Sequence, residues 1–523
     1  MSDAAVAPIP ARAQPRADLS AWLAVAAGTL GAFMATLDIS IVNASLPTIQ
    51  GEIGATPSEG TWIGTAYLVS EIVAIPLTGW FSRMLGLRRF LLIAAGMFTL
   101  FSVLCGLADD LTTMIAGRIG QGVAGGTLIP TALTIIATRL PPRQQPVGIA
   151  IFGLTVLLGP VSGPLLGGWI TEQFAWNFAF FINVPICLGL MLLLFLGLPP
   201  ARGDLGEWTN ADWAGVFGMV IGLGALTLLL EEGHRQQWFE SRLIWQLLWA
   251  TVIGFALIAW GQFRSTRPVV RLSLLRERSL AATVGMMLLM GALLFGIGYL
   301  IPQFLAMIAD YNALQAGQIA FIAGIPACMM MPILPTLIAR VDLRINVAVG
   351  TLVVAISCWA ASQMTAQSVG SAFVLTQLLL GAGISTATFC LNQAAISAVT
   401  PEDAGDASAL FMAARNLGGS VGLATIASLQ EQRSEVHRWQ IHASLDGNDL
   451  QVQSRVEELA TVLGGGPEGL TGALRLLDAQ VLVDAWVMTF NDIFFLLALG
   501  TLAVLPCVLF LKPLKAVDTT AVH

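Results

Sequence analysis

The sequence predicts an all-α membrane protein with fourteen transmembrane helices, and three observations carry that expectation. Charged residues make up 11% of the 523 and hydrophobic residues 56%, whereas soluble domains carry roughly a quarter charged residues. Mean hydropathy is +0.78. Apolar runs of about 20 residues, long enough to cross roughly 30 Å of hydrocarbon as helices, recur along most of the chain. In lipid, backbone polar groups must bond within their own segment, so runs of this length are read as helices.

The spans follow in order, each bounded by charged residues or by Pro/Gly breaks. Residues 1–19 form a tail with Arg12 and Arg16. The run at 20–45 is too long for a cleaved signal segment and starts the bundle. Spans at 60–81 and 89–108 flank the basic turn GWFSRMLGLRR, and 111–137 ends at Arg139. Spans at 146–170 and 177–198 are separated by the short stretch TEQFAW, which carries Glu172. After a polar break come 211–231 and 243–263, then 279–308, 314–338, 345–363, 369–398, 404–429 and 488–511, with a tail at 512–523. With the first tail inside, Arg83, Arg88, Arg89, Arg139, Arg143, the stretch Arg264 to Arg278, Arg340, Arg344, Lys512 and Lys515 all fall on the cytoplasmic side. A miscounted helix would invert that bias downstream, so an even count with both termini cytoplasmic is expected. The most basic cytoplasmic stretch, Arg264 to Arg278, reads as a headgroup anchor.

The longest outer segment is 430–487. Val452, Val456, Leu459 and Leu463 share one helical face, as do Leu470, Leu474, Leu477 and Val481 after the GGGPEG break. Two amphipathic helices in a hairpin are predicted, either capping the protein's own outer face or offering a partner a docking surface.

Several function classes are excluded. A net charge of −7 and a pI of 5.2 leave no basic face for nucleic acid. The four histidines form no metal-ligand pattern, so no metal and no cofactor is expected. The six cysteines lie in apolar stretches without a CxxC pair and read as small buried hydrophobes. Neither GxSxG nor a Walker motif occurs, which argues against a membrane enzyme and against ATP-driven transport.

Several segments carry a resemblance to a known family. LDISIVNASLP (37–47) is similar to the LDxTIVNVALP motif, with Ser40 where Thr is usual. GWFSRMLGLRR (79–89) is similar to the loop GxLADRxGRK, keeping Gly79, Gly86, Arg88 and Arg89; Arg83 stands where the general motif has Asp. RIGQGVAGG (118–126) is similar to RxxQGxGgA, GLTVLLGPVSGPLLGGW (153–169) to the antiporter motif GxxxxxGPxxGGxl, and WNFAFFINVP (176–185) to WxWxFxINVP. The chain thus resembles the 14-helix drug:proton antiporters of the major facilitator superfamily, close to the EmrB type, along essentially its whole length. The resemblance implies two six-helix halves, 20–198 and 279–511, with 211–263 as two extra helices. It implies export of small hydrophobic or amphipathic molecules against protons, across a bacterial inner membrane. It also implies a periplasmic membrane-fusion adaptor and an outer-membrane channel as partners, met through 430–487. An exporter of one dedicated metabolite, such as a fatty acid or siderophore, and a non-transporting sensor on the same fold are the alternatives.

Asp38, Glu71 and Arg118 lie well inside spans, where an ionisable group costs roughly 2.5–3.5 kcal/mol and so faces the bundle interior. They read either as a structural ion pair or as proton-coupling groups, and the resemblance favours Asp38 as carrier with Arg118 as modulator; Glu71 could instead attract a cationic substrate. Gly159, Gly163 and Gly167 recur at i, i+4, i+8 beside Pro160 and Pro164, predicting close packing plus a bend; with Gly153 and Gly168 they form the stretch that, by resemblance, seals the two halves together. Arg415 reads equally as a polar clamp or a substrate contact. Asn43, Trp62, Tyr67, Gln121, Gln303, Asn392, Gln393, Phe411, Met412 and Asn416 are the expected cavity wall.

Overall fold

The computed structural model describes residues 17–201, 203–204, 206–209, 211–265, 268–445 and 449–512, and only the backbone of residues 57, 58, 161, 164, 207, 209, 313 and 314. The expectations for Arg12, Arg16, Lys515 and the Pro164 side chain lie outside the described residues.

Every regular element among the described residues is helical. The first half comprises α1 (Leu19–Ile53), α2 (Trp62–Leu85), α3 (Leu87–Gly106), α4 (Leu111–Arg139), α5 (Gln145–Gln173) and α6 (Asn183–Gly197), the last approached through the turn Phe178–Phe181. The extra pair is α7 (Trp213–Gly233) and α8 (Arg242–Arg264). Then come α9 (Arg278–Met307), a broken α10 (Ala313–Phe321, Gly324–Met330, Leu334–Arg340), α11 (Leu343–Ala361), α12 (Val374–Ser397), α13 (Ala404–Ser444), α14 (Leu450–Val462) and α15 (Gly466–Val504).

Eleven of the described helices are long and apolar enough to cross a membrane, or up to thirteen when each of two bent pairs is one span. The helix α13 occupies the remaining expected position, its apolarity lowered by Asp406 and Arg415. Starts are marked by capping carboxylates: Asp18 accepts from the Ala21 N–H at 2.9 Å, Asp110 from Thr113 at 2.9 Å and Asp212 from Gly215 at 2.8 Å. Each such cap contributes about 1 kcal/mol. Between α2 and α3 the chain reverses on Gly86, whose φ of 80° lies in the region that favours glycine.

Three elements differ from the sequence reading. The span 314–338 is not one helix but three pieces, bent by 52° before Leu334, because Pro326, Pro332 and Pro335 each remove a backbone donor. The outer segment is not an inserted hairpin of two separate helices. Instead α13 and α15 both continue beyond their spans, and only α14 is a separate helix; no breaker stands between Leu470 and the last span, whereas Gly464, Gly465 and Gly466 take positive φ and set the turn before it. Cys328 is exposed and Cys507 intermediate, while the other four cysteines are buried.

The extensions are zipped by charge. Arg438 bonds Asp478 at 3.1 Å and holds its carboxyl below the usual range, with His442 adding to the effect; His437 meets Asp492 at 2.9 Å. Within each half, helices pack over a continuous apolar core. Helix α7 packs on α8 and against both α2 and α13, at the seam of the halves. The approach of α7 to α8 is backbone to backbone: a Cβ at Gly222 would meet the Gly254 carbonyl carbon at 3.0 Å.

Candidate functional site

Five helices of the first half converge on one buried carboxylate. Asp38 of α1 is 0% exposed and Arg118 of α4 1% exposed. Arg118 Nη1 donates to Asp38 Oδ2 at 2.6 Å, Asn183 Nδ2 of α6 to Asp38 Oδ1 at 2.6 Å, and Gln121 Nε2 to Asp38 Oδ1 at 3.3 Å. Arg118 also donates through Nε to the Ile63 carbonyl of α2 at 3.0 Å and through Nη1 to Gln121 Oε1 at 3.0 Å, a neighbour one turn along α4. Gln121 in turn donates to Ser102 Oγ of α3 at 2.7 Å. The guanidinium lies 4.3 Å from the Tyr67 ring centroid. A charge in low dielectric persists only when paired and bonded this fully, since breaking one partner of such a pair costs about 3–5 kcal/mol.

Asn183 and Ser102 are the members that sequence reasoning missed. Asn183 had a signal, a lone amide in the apolar run from Phe178 to Gly197; Ser102, one of two hydroxyls with Thr99 on the apolar helix α3, had none.

Glu71 stands apart from this network. It is buried at 2% exposure on α2, pressed on Gly126 of α4, and its charge is felt by Arg415 and Asn416 of α13 in the other half. Thus the sequence-predicted charges separate into two groups, one inside the first half and one across the seam.

A third cluster locks the halves at the Arg83 end. Arg83 Nη1 bonds both oxygens of Asp406, at 2.7 and 2.6 Å, and Arg271 bonds Asp403 at 2.7 Å with its Nε 3.5 Å from Asp406. Arg83 stands on α2 where the motif has a carboxylate, and it pairs with a carboxylate supplied by α13. Gly79 is required there, because a Cβ would collide with the Asp406 carboxylate. Arg271 is therefore an ion-pair partner and not only a headgroup anchor. Arg88 covers the Phe195 ring at 4.3 Å, and Arg89 is exposed.

The face of α5 that carries Gly159, Gly163 and Gly167 packs on α1, within the first half, while the helix also packs on α10 and α12 of the second half. A Cβ at Gly159 would collide with Thr36, one at Gly163 with Ser40, and one at Gly167 would meet the Ile41 carbonyl at 2.9 Å. Ser40 donates to the Pro160 carbonyl at 3.0 Å, a bond made possible where the helix bends by 44°. Gly153 faces the other half, against Met331, and Gly168 has open space beside it.

The expected cavity residues do not form one wall. Asn43 is exposed and Trp62 36% exposed, near one end. Tyr67 and Gln121 belong to the Asp38 network. Gln303 accepts from Gln430 at 2.7 Å. Phe411 and Met412 are packed into the core, at 0% and 2% exposure. Asn392 and Gln393 are buried with carbonyl oxygens that have no hydrogen-bond partner, and Arg415 and Asn416 are partly exposed at the seam.

The family model described as the Major Facilitator Superfamily matches residues 28–423, which take in nearly all of the first half, much of the second and the Asp38, Glu71 and Arg83 clusters. The chain belongs to the major facilitator superfamily. It is 32% identical to the multidrug export protein EmrB of Haemophilus influenzae over 489 residues, covering 93% of this chain and 94% of the relative. Colistin resistance protein EmrB of Acinetobacter baumannii is 30% identical over 92% of this chain and 94% of its own. The fatty acid resistance protein FarB of Neisseria gonorrhoeae is 29% identical over 94% and 96%. Among solved structures, the human organic anion transporter MFSD10 superposes with a TM-score of 0.60 at 17% identity, covering 92% of this chain and 99% of that one, a likeness of fold. As a member of this superfamily the chain is a multi-pass membrane protein of a transporter family.

Proposed function

We propose that this superfamily member is a proton-coupled antiporter that exports hydrophobic or amphipathic small molecules across a bacterial inner membrane, with both termini cytoplasmic. The observation that carries the reading is the sealed pair of Asp38 and Arg118, bonded at 2.6 Å within a network that leaves no surface of the carboxylate exposed. Protonating Asp38 would leave Arg118 an uncompensated buried cation, at a cost of about 3–5 kcal/mol. That cost is relieved only by moving the helices that carry the two groups, so proton binding and rearrangement become one event. The relatives named as multidrug export proteins support a broad substrate range, and FarB supports fatty acids as the narrower alternative.

One proton carries about 2.3 kcal/mol per 100 mV and about 1.4 kcal/mol per pH unit, enough together for a substrate gradient of a few hundredfold, on the order of 500. Replacing Asp38→Asn is expected to abolish uphill dye export from proteoliposomes while equilibrium dye binding to the purified protein stays within about threefold, a shift under 1 kcal/mol. Full proton-driven efflux by that variant would overturn the reading.

A further inference from the structure

The two buried arginines are treated differently by the fold. Arg118 is engaged at Nε and Nη1 by Ile63, Gln121 and Asp38. Arg415 lies in α13, where its own backbone is fixed by tight packing on Gly291 of α9. Among the described residues no hydrogen bond and no salt bridge holds its guanidinium, and its buried Nε has no hydrogen-bond partner. A charged group left so in a membrane protein is costly, and the cost is offset when a ligand of opposite charge arrives.

The surroundings say what the ligand is. Asp38 and Arg118 neutralise each other inside the first half, so they contribute little net field at the seam. Across the seam, away from the paired Arg83 cluster, Glu71 on α2 and Arg415 on α13 act electrostatically on each other without a bond between them. Arg415 is partly exposed at the seam whereas Glu71 is 2% exposed, so an incoming molecule reaches the cation first. A planar guanidinium with free N–H donors binds a carboxylate or sulfonate through two parallel bonds. A cationic guest would meet Arg415 as a like charge.

We propose that Arg415 is the anchor for the anionic head of an amphipathic substrate, a carboxylate or sulfonate on an apolar body, with Glu71 as the counter-charge that competes for it. The proposal rests on the exporter reading above and deepens it by naming the charge class. It also gives binding a route to the rocking motion: an anion that takes over Arg415 weakens the attraction between α13 and Glu71 of α2 and leaves the Arg83–Asp406 pair as the charged link between those two helices.

The test uses one apolar body with three heads: 2-naphthoate, the neutral 2-naphthylmethanol and 2-naphthylmethylammonium, with binding to the full-length purified protein measured by calorimetry. Wild-type protein is expected to bind naphthoate at least about tenfold more tightly than the alcohol, the range of a charge-assisted bond. R415Q should remove that preference and R415K should keep part of it. E71Q, which removes the competing carboxylate and leaves Arg415 in place, should strengthen naphthoate binding several-fold, about threefold or more. Equal binding of the three probes by the wild type, an unchanged preference in R415Q, or weakened naphthoate binding in E71Q would each overturn the proposal. Failure of the exporter reading shows separately: everted proteoliposomes with an acidic lumen would accumulate no naphthoate beyond protein-free liposomes, whatever the binding order of the probes.

Discussion

At the scale of single residues, the same residue type serves opposite ends depending on what it touches. Gly163 is enclosed by Ser40, whereas Gly168, five positions on in the same helix, has nothing within 4 Å of where a Cβ would lie. Gly163→Ala should therefore destabilise the protein by about 1–3 kcal/mol, the cost of overpacking, and lower transport at matched expression. Gly168→Ala should leave both near wild type. Thermal unfolding of the two variants in detergent, run side by side, checks this; equal melting shifts would mean that α5 and α1 are not held by that contact. The arginines divide likewise: Arg118 is bonded at Nε and Nη1, Arg83 is shared between two oxygens of one carboxylate, and Arg415 has a buried Nε without a hydrogen-bond partner.

Elements meet through these residues. The pairing of α2 with α13 at the Arg83 end joins the halves, with Arg271 following α8 drawn into the same cluster. At the other end of the extra pair, the α7–α8 loop reaches both halves: Arg235 donates to Thr61 at 2.8 Å and Trp238 Nε1 to Ser428 Oγ at 3.0 Å. Helices α7 and α8 are thus a strap along the seam and not a detached insertion. If the Arg83 cluster acts as a latch, neutralising both partners should cost less than the sum of the single changes, because each single change strands a charge. Arg83→Gln, Asp406→Asn and the double variant, compared by rates of dye efflux, should show a coupling of about 1 kcal/mol or more, close to a fivefold difference in rate. Strictly additive losses would place the two residues in separate roles.

For the whole molecule, the extension formed by α13, α14 and α15 is the one large feature outside the spans. Its facing helices leave an apolar groove of about 500 Å³ lined by Leu445, Val452, Val456, Leu470, Leu474 and Val481. Ordering each residue of such a segment costs about 1–2 kcal/mol of conformational entropy, which burial must offset. If an adaptor protein docks on this extension, as the resemblance implies, it would supply part of that burial. Because α13 and α15 run without a break into the bundle, the segment to replace is 445–465 and not the whole of 430–487. A flexible linker there is expected to leave proton-coupled export from proteoliposomes within about twofold of wild type, under 0.5 kcal/mol, and to remove drug resistance in cells. Loss of activity in liposomes as well would make the extension part of the transporter's own architecture.

The sequence by itself determined the class of fold and the identity of the buried charges. Those are properties of one segment in lipid: an apolar run of sufficient length must be a helix, and a carboxylate within it must face inward. It also carried Arg118 and Asp38 as one site, through motifs that sit whole on single helices. Only the tertiary structure decided which charge meets which. Asp38 finds Asn183 145 positions away, and Arg83 finds Asp406 323 positions away. Such pairings depend on how each helix is rotated and bent against its neighbours, which no local pattern records. For the same reason the glycine face of α5 was legible as a packing surface, while its partner, α1 of its own half, was set by the fold.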